Sequence, residues 1–260
     1  MRAISIAKIG EGLINEDAAK ATEKWIAVSD GAGGGGVFAD LWSKYLVENL
    51  PDEAIADYQT FDAWIDGIWE PFYNECEEIA KREGGMLLNK FYDEGSFATL
   101  VAVWGDGRWI SYGDSVAFCY DKKSGKLQHT FGRIIDFNNP PYLINCKDPS
   151  DEKGFKSGRF EINEDCVVFA ASDALAHYIL LMYEVAHKDV YAEELQEAID
   201  AKTKNSNLIK TAMRLRKLNF SEKVIQKLLN CRYKVLLLKH LDCQYRRGFI
   251  ALDDYSLAIL

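Results

Sequence analysis

Four aspartates of this 260-residue chain stand where a predicted strand ends or is about to begin. Asp30 closes the apolar run from Lys24 to Ser29, and Asp173 follows the run from Val167 to Ala171. Asp253 precedes the final run into Leu260, and Asp114 lies at a strand-to-strand turn. Strand ends in a layered sheet lie near one another, so these carboxylates are candidates for one shared site. Like charges gathered there repel unless they are protonated or neutralised by cations, and an all-oxygen donor set selects hard ions such as Mg2+ or Mn2+. Carboxylates also simply occupy turns, and among 40 acidic residues some fall at strand ends in any case.

The run Asp30-Gly31-Ala32-Gly33-Gly34-Gly35-Gly36 admits two readings. It lacks the Lys-Ser/Thr ending of a phosphate-binding loop and the downstream acid of a dinucleotide unit. It is either a flexible turn or a place where close backbone approach offers a carbonyl and a carboxylate to one metal.

Apolar spacing predicts strands over Arg2–Ala7, Lys24–Ser29 and Val116–Tyr120, and a hairpin of Phe97–Trp104 with Trp109–Tyr112 across Gly105-Asp106-Gly107. Further strands are expected over Val167–Ala171 and after Asp253-Asp254. Helical spacing covers Val37–Asn49, about Phe61–Arg82, and most of Ala174–His240, with Ser221 as an N-cap. Residues Gly132 to Arg159, which hold Pro140-Pro141, read as a long irregular excursion. Strands at both ends with helices between them suggest an α+β layered domain.

Composition bounds the alternatives. There are 31 basic and 40 acidic residues, a net charge of −9, and 48% hydrophobic residues, which exclude a disordered chain. No apolar run reaches the roughly 18 residues of a membrane span. Only five prolines punctuate the chain and no repeat is visible, so residues 1–260 are expected to form one domain. Cys76, Cys119, Cys146, Cys166, Cys231 and Cys243 are scattered singly, as buried free thiols are. The first residues, Met1 to Lys8, do not form a secretory signal, so the expected location is the cytoplasm. Between Ala201 and Arg247 there are 13 Lys and Arg against Glu222 and Asp242, a local charge of 13 − 2 = +11. These are either solvated helix faces or a field that steers acidic partners; no groove-reading motif for nucleic acid accompanies them.

Six short motifs then make a pattern. Asn15-Glu16-Asp17-Ala18, Asp30-Gly31-Ala32-Gly33-Gly34, Gly95-Ser96-Phe97-Ala98-Thr99, Gly113-Asp114-Ser115, Ala171-Ser172-Asp173-Ala174-Leu175 and Asp253-Asp254-Tyr255-Ser256 occur in order from about Ile6 to Leu260. In order and spacing the chain resembles the type 2C metal-dependent serine/threonine protein phosphatases. The resemblance implies a four-layer αββα sandwich of two antiparallel sheets flanked by helices, with two Mg2+ or Mn2+ ions in the cleft. Asp30 would bridge both ions, Asp173 and Asp253 would hold the first, and Glu16 with the carbonyl of Gly31 the second. Asp17 would support the water shell, Asp114 would bind a weaker third ion, and residues near 132–159 would form a flap. The implied reaction is hydrolysis of phosphoserine and phosphothreonine in a protein substrate by a water bridging the metals, with no nucleophilic side chain.

The chain departs from that family at substrate-binding positions. Gly12 stands where an arginine usually grips phosphate, Val116 follows Gly-Asp-Ser where arginine is common, and Ala174 replaces a glycine. The alternative function is therefore a metal-binding pseudophosphatase that binds a phosphoprotein with little or no turnover. Lys8 is the nearest upstream cation to Gly12, and His177 is either a general acid or a packed histidine. Because the implied metal ligands all lie outside 201–247, the basic segment is expected not to be needed for hydrolysis of a small aryl phosphate.

Overall fold

A computed structural model of the chain describes residues 1–8, 13–34 and 36–260. The strands are β1 (Arg2–Ile6), β2 (Ala18–Ala21), β3 (Trp25–Ser29), β4 (Phe97–Ala98), β5 (Leu100–Trp104), β6 (Arg108–Tyr112), β7 (Val116–Asp121), β8 (Leu127–His129), β9 (Ile144–Asn145), β10 (Phe155–Arg159), β11 (Cys166–Ala171) and β12 (Tyr255–Ile259). The helices are α1 (Ala39–Glu48), α2 (Tyr58–Glu83), α3 (Gly85–Glu94), α4 (Asp173–Ala186), α5 (Lys188–Asp200), α6 (Ser206–Met213), α7 (Gln226–Asn230) and α8 (Lys234–Arg246). One sheet runs β1-β12-β11-β7-β8 and the other β10-β6-β5-β3-β2, with all pairings antiparallel.

Each sheet is covered on both faces, which the side chains record with a period of two. In β7, Val116, Phe118 and Tyr120 face helices α4 to α8, whereas Ala117 and Cys119 face the other sheet. In β5, Leu100, Ala102 and Trp104 pack under α1 and α2, and Val101 and Val103 meet the first sheet. The layer between the sheets is built of small and β-branched residues such as Ile26, Val28, Val168, Ala170 and Ala258. Double coverage explains why antiparallel strands read as unbroken apolar runs rather than as alternating ones. The architecture is the expected α+β, four-layer αββα sandwich.

Several elements differ from the expected ones. The run Phe97–Trp104 is two strands: β4 pairs with β9, and β5 joins the large sheet, with Thr99 between them. The 132–159 stretch holds a 3-10 turn (Ile134–Asn138) and β9, and it ends in β10, which pairs with β6 along its whole length. Helix α3 and strand β2 carry no sequence signal, the first beginning on a glycine and the second reading Ala-Ala-Lys-Ala. Ser221 is not an N-cap: Ser221–Ile225 is a π-helical turn, and the side chain of Asn219 accepts from the Glu222 amide at 3.1 Å. All six cysteines are free. Among the described residues no helix is long and apolar enough to cross a membrane.

One buried acid lies far from the aspartates in the packing. Glu184, on the inner face of α4, is 5% exposed, and its Oε2 has no hydrogen-bond partner. Burial first, and Glu194 second, push its carboxyl up to about 8. A free glutamate ionises near 4.3, so the folded chain holds the extra proton between about pH 4.3 and 8. The stability contributed by the neutral carboxyl is complete below that window and is lost as pH rises through about 8. Glu184→Gln is expected to stabilise the chain by about 2 kcal/mol at pH 8.5 and by less than about 1 kcal/mol at pH 5, read from urea unfolding at both pH values.

Candidate functional site

The aspartates gather at one end of the two sheets because each sits on a strand terminus there. Asp17 precedes β2, Asp30 follows β3, Asp114 joins β6 to β7, Asp173 opens α4 directly after β11, and Asp253 precedes β12. Thr99 locks two of these ends together. Its amide donates to the Asp30 carbonyl at 2.8 Å, its Oγ1 accepts from the Asp30 amide at 3.2 Å, and the same oxygen is bonded to Ser115 Oγ at 2.7 Å. Gly113 has φ +96°, and a Cβ there would lie 2.6 Å from Thr99 Cγ2, so the turn that presents Asp114 depends on this glycine. Gly31 is needed for a different reason, since a Cβ there would lie 2.5 Å from the Glu16 carbonyl oxygen and 2.6 Å from that of Ala39, whereas Gly33 has only the Glu16 carboxylate beside it.

Asp30, Asp114, Asp173 and Asp253 line one cavity of about 390 Å3. Its opposite wall comes from the 132–159 stretch, through Phe137, Asn138, Asn139 and Pro140-Pro141. Asp17 lies beneath, 7% exposed, with its Oδ2 unpartnered. Glu16 does not line this cavity; its carboxylate lies beside Gly33. The Gly31 amide donates to the Glu16 carbonyl at 3.1 Å, which ties the two neighbouring segments.

Burial and mutual repulsion dominate the electrostatics. Asp30 is held well above the usual carboxylate range by burial first, then by the charges of Asp17, Asp173, Asp114 and Asp253. Asp173 is raised in the same way by burial and then by Asp114, Asp253 and Asp17. Burial pushes Asp17 up to about 7 and Asp114 up to about 6, and it raises Asp253 and Glu16. Such a set of oxygen donors, desolvated and short of positive charge, fits hard divalent cations. Among the described residues, however, no three His, Cys, Asp or Glu side chains are arranged to hold an ion as they stand. Two are turned onto their own backbone: Asp173 Oδ1 accepts from the Ala174 amide, and Asp253 Oδ1 accepts from the Asp254 amide at 3.0 Å. The donors line one cavity without forming a closed ligand set.

Three residues correct or extend the sequence reading. Lys204, between α5 and α6, lines the same cavity and is the one cation in its wall among the described residues. Asn205 next to it donates to Asn138 Oδ1 at 3.3 Å, which ties that turn to the opposite wall. The basic segment therefore does not stand wholly apart from the carboxylates; its first part reaches into them. Asp254 is 4% exposed and accepts from the amides of Lys8 and Glu16, each at 2.7 Å. Its position beside Asp253 was the only sequence clue. His177 is packed rather than exposed to reacting groups: it is 4% exposed, it meets the Phe137 ring edge-on at 5.3 Å, and burial lowers it to about 4, so it is neutral at pH 7. Gly12, the position of the absent arginine, and Gly35 lie outside the described residues.

No family model matches the chain, and no curated protein matches it. Solved structures do. The serine/threonine phosphatase PstP/Ppp of Mycobacterium tuberculosis superposes with a TM-score of 0.54 at 13% identity, covering 99% of this chain and 96% of that one. The PPM Ser-Thr phosphatase MsPP of Mycobacterium smegmatis, solved in complex with cacodylate, gives 0.52 at 13% identity, with 99% and 96% covered. The chain has the fold of the PPM-type serine/threonine phosphatases. PppA, described as a key regulatory component of T6SS in Pseudomonas aeruginosa, shares this PPM-type fold at a TM-score of 0.52 and 14% identity, covering 99% of this chain and 96% of that one. At these identities the likeness extends to architecture, and the chemistry of the PPM-like cleft has to be argued from the residues above.

Asp254 offers a test of how the cleft is braced. Asp254→Ala leaves the part-buried amides of Lys8 and Glu16 without their carboxylate acceptor and is expected to lower stability by about 2 kcal/mol in urea unfolding, with Asp254→Asn costing less. A loss below about 1 kcal/mol would show that water replaces the carboxylate.

Proposed function

We propose that this chain is a phosphatase that removes phosphate from phosphoserine and phosphothreonine side chains of proteins with the help of two Mg2+ or Mn2+ ions. The observation that carries the reading is the convergence of Asp30, Asp114, Asp173 and Asp253 with Lys204 on one cavity in a PPM-type fold. In this reading Asp30, Asp173 and Asp253 would hold one ion, and Asp30 with Glu16 and the Gly31 carbonyl would hold the other. Asp17 supports the arrangement from beneath, and Asp114 serves a third, weaker ion. When bound, the ions supply positive charge to the phosphate and lower the pKa of a water.

The chain's own residues do the rest. Lys204 offers an ammonium to the non-bridging phosphate oxygens, which takes over the role left open at Gly12. Thr99, the hydroxyl in the wall, is already bonded to Ser115, which agrees with a reaction that needs no side-chain nucleophile. The six free cysteines suit a reducing compartment, so the substrate in this reading is a cytoplasmic phosphoprotein. A second reading, a pseudophosphatase that binds a phosphoprotein without turnover, is favoured by Gly12 and by carboxylates that do not form a closed ligand set.

Phosphate release from a phosphothreonine peptide, measured with Mn2+, with Mg2+ and with chelator, separates the two. Metal-dependent release is expected, and Asp30→Asn and Asp173→Asn should each lower kcat by on the order of a hundredfold or more. Lys204→Met should raise KM for a small aryl phosphate by about tenfold with little change in kcat, the pattern of a lost ground-state contact. Release that survives chelation would overturn the metal assignment; no release with either metal, together with retained phosphopeptide binding, would establish the pseudophosphatase.

A further inference from the structure

Four cations of the basic segment meet at one place, while others such as Lys210, Arg214, Arg216 and Lys239 lie on solvated surface. Lys217, Lys223, Lys227 and Arg247 converge on a second cavity of about 510 Å3, on the helical side of the β1-β12-β11-β7-β8 sheet, and no carboxylate lines it. Only Lys223 has an ion-pair partner among the described residues, the exposed Glu222 at 2.8 Å. Met182, Leu218, Val224 and Phe249 make the apolar part of the wall, and the Arg247 guanidinium lies 4.7 Å from the centre of the Phe249 ring. By contrast, a cavity of about 820 Å3 beside α1 mixes Lys20, Lys44 and Lys234 with Asp17, Asp40 and Glu48.

Two further polar residues line the cationic cavity. Gln244 is 7% exposed and lines it, yet its side-chain amide makes no hydrogen bond to any described residue. His240 lines it too, and its Nε2 is buried without a partner. Of the two, the Gln244 amide is the one a ligand can reach, and it is uncommitted to any described residue. The wall also carries an irregular turn: Lys223 and Val224 lie in the π-helical turn Ser221–Ile225, where the backbone leaves α-helical register. Cations with no carboxylate in the wall, apolar side chains and an uncommitted amide match one ligand chemistry.

We propose that this cavity is a second binding site, separate from the carboxylate cleft, for a small organic anion with an apolar body. Lys217, Lys227 and Arg247 hold the anionic group, Met182, Leu218, Val224 and Phe249 hold the body, and Gln244 receives a polar atom. The cavity size suits a small molecule, since ligand sites commonly fall between about 300 and 1,000 Å3.

The probe is 8-anilinonaphthalene-1-sulfonate, an aromatic sulfonate, titrated by fluorescence and calorimetry against the full chain. One-site binding that weakens with added salt is expected. The double variant Lys217→Glu, Lys227→Glu should weaken it by about tenfold or more. Both lysines are exposed, and Lys217→Met with Lys227→Met makes the same comparison should the reversal not fold. Exposed Cys243 lines the cavity, so its alkylation by neutral iodoacetamide should slow when the probe is bound. Binding that ignores both salt and the lysine changes, or alkylation of Cys243 unaffected by bound probe, would overturn the site. None of these readouts depends on hydrolysis, so their outcome is independent of the phosphatase reading.

Discussion

Like charge withdrawn from water is the constraint around which this molecule is arranged. Asp17, Asp30, Asp114 and Asp173 are each pushed toward protonation by burial before any neighbour acts on them. Desolvating one carboxylate costs several kcal/mol even after relaxation, and holding several together adds repulsion. The cleft cannot hold itself together and is clamped from outside. The clamp consists of three apolar layers, one between the sheets and one under each set of helices, together with a few hydrogen bonds at the strand ends. Thr99 and Asp254 supply the most direct of these, joining segments 69 and about 240 residues apart.

How much of this could be read in advance follows from the same layering. Strands with both faces covered carry continuous apolar runs, so β3, β5, β7 and β11 were visible, and with them the aspartates at their ends. Edge strands lack that signature. The Ala-Ala-Lys-Ala of β2 has no β-branched residue, and the Phe-Lys-Ser-Gly-Arg of β10 is mostly exposed, so each is a strand only because a partner is there to pair with it. Lys204 was hidden for a different reason. Its place is set by the turn from α5 to α6 and by the Asn205 contact to Asn138, 67 residues away in sequence, and no local pattern encodes such a meeting. Asp253 showed as a strand-end acid, whereas the bracing role of its neighbour Asp254 depends on two amides near the start of the chain.

The position of β12 bears on the order in which the molecule can be made. This strand, last in chain order, is not at an edge: it lies between β1 and β11 and pairs with both. Until it emerges from the ribosome, β1 has no strand to pair with, the first sheet is split, and the amides of Lys8 and Glu16 have no acceptor. Loop closure between Arg2 and Ile259 is among the longest the chain can make, and contacts so distant in sequence form late and slowly. A partly synthesised chain therefore carries most of the acidic residues but lacks Asp253 and the Asp254 brace that complete the cleft. The acidic cleft is thus completed only when the sheet that restrains it is completed.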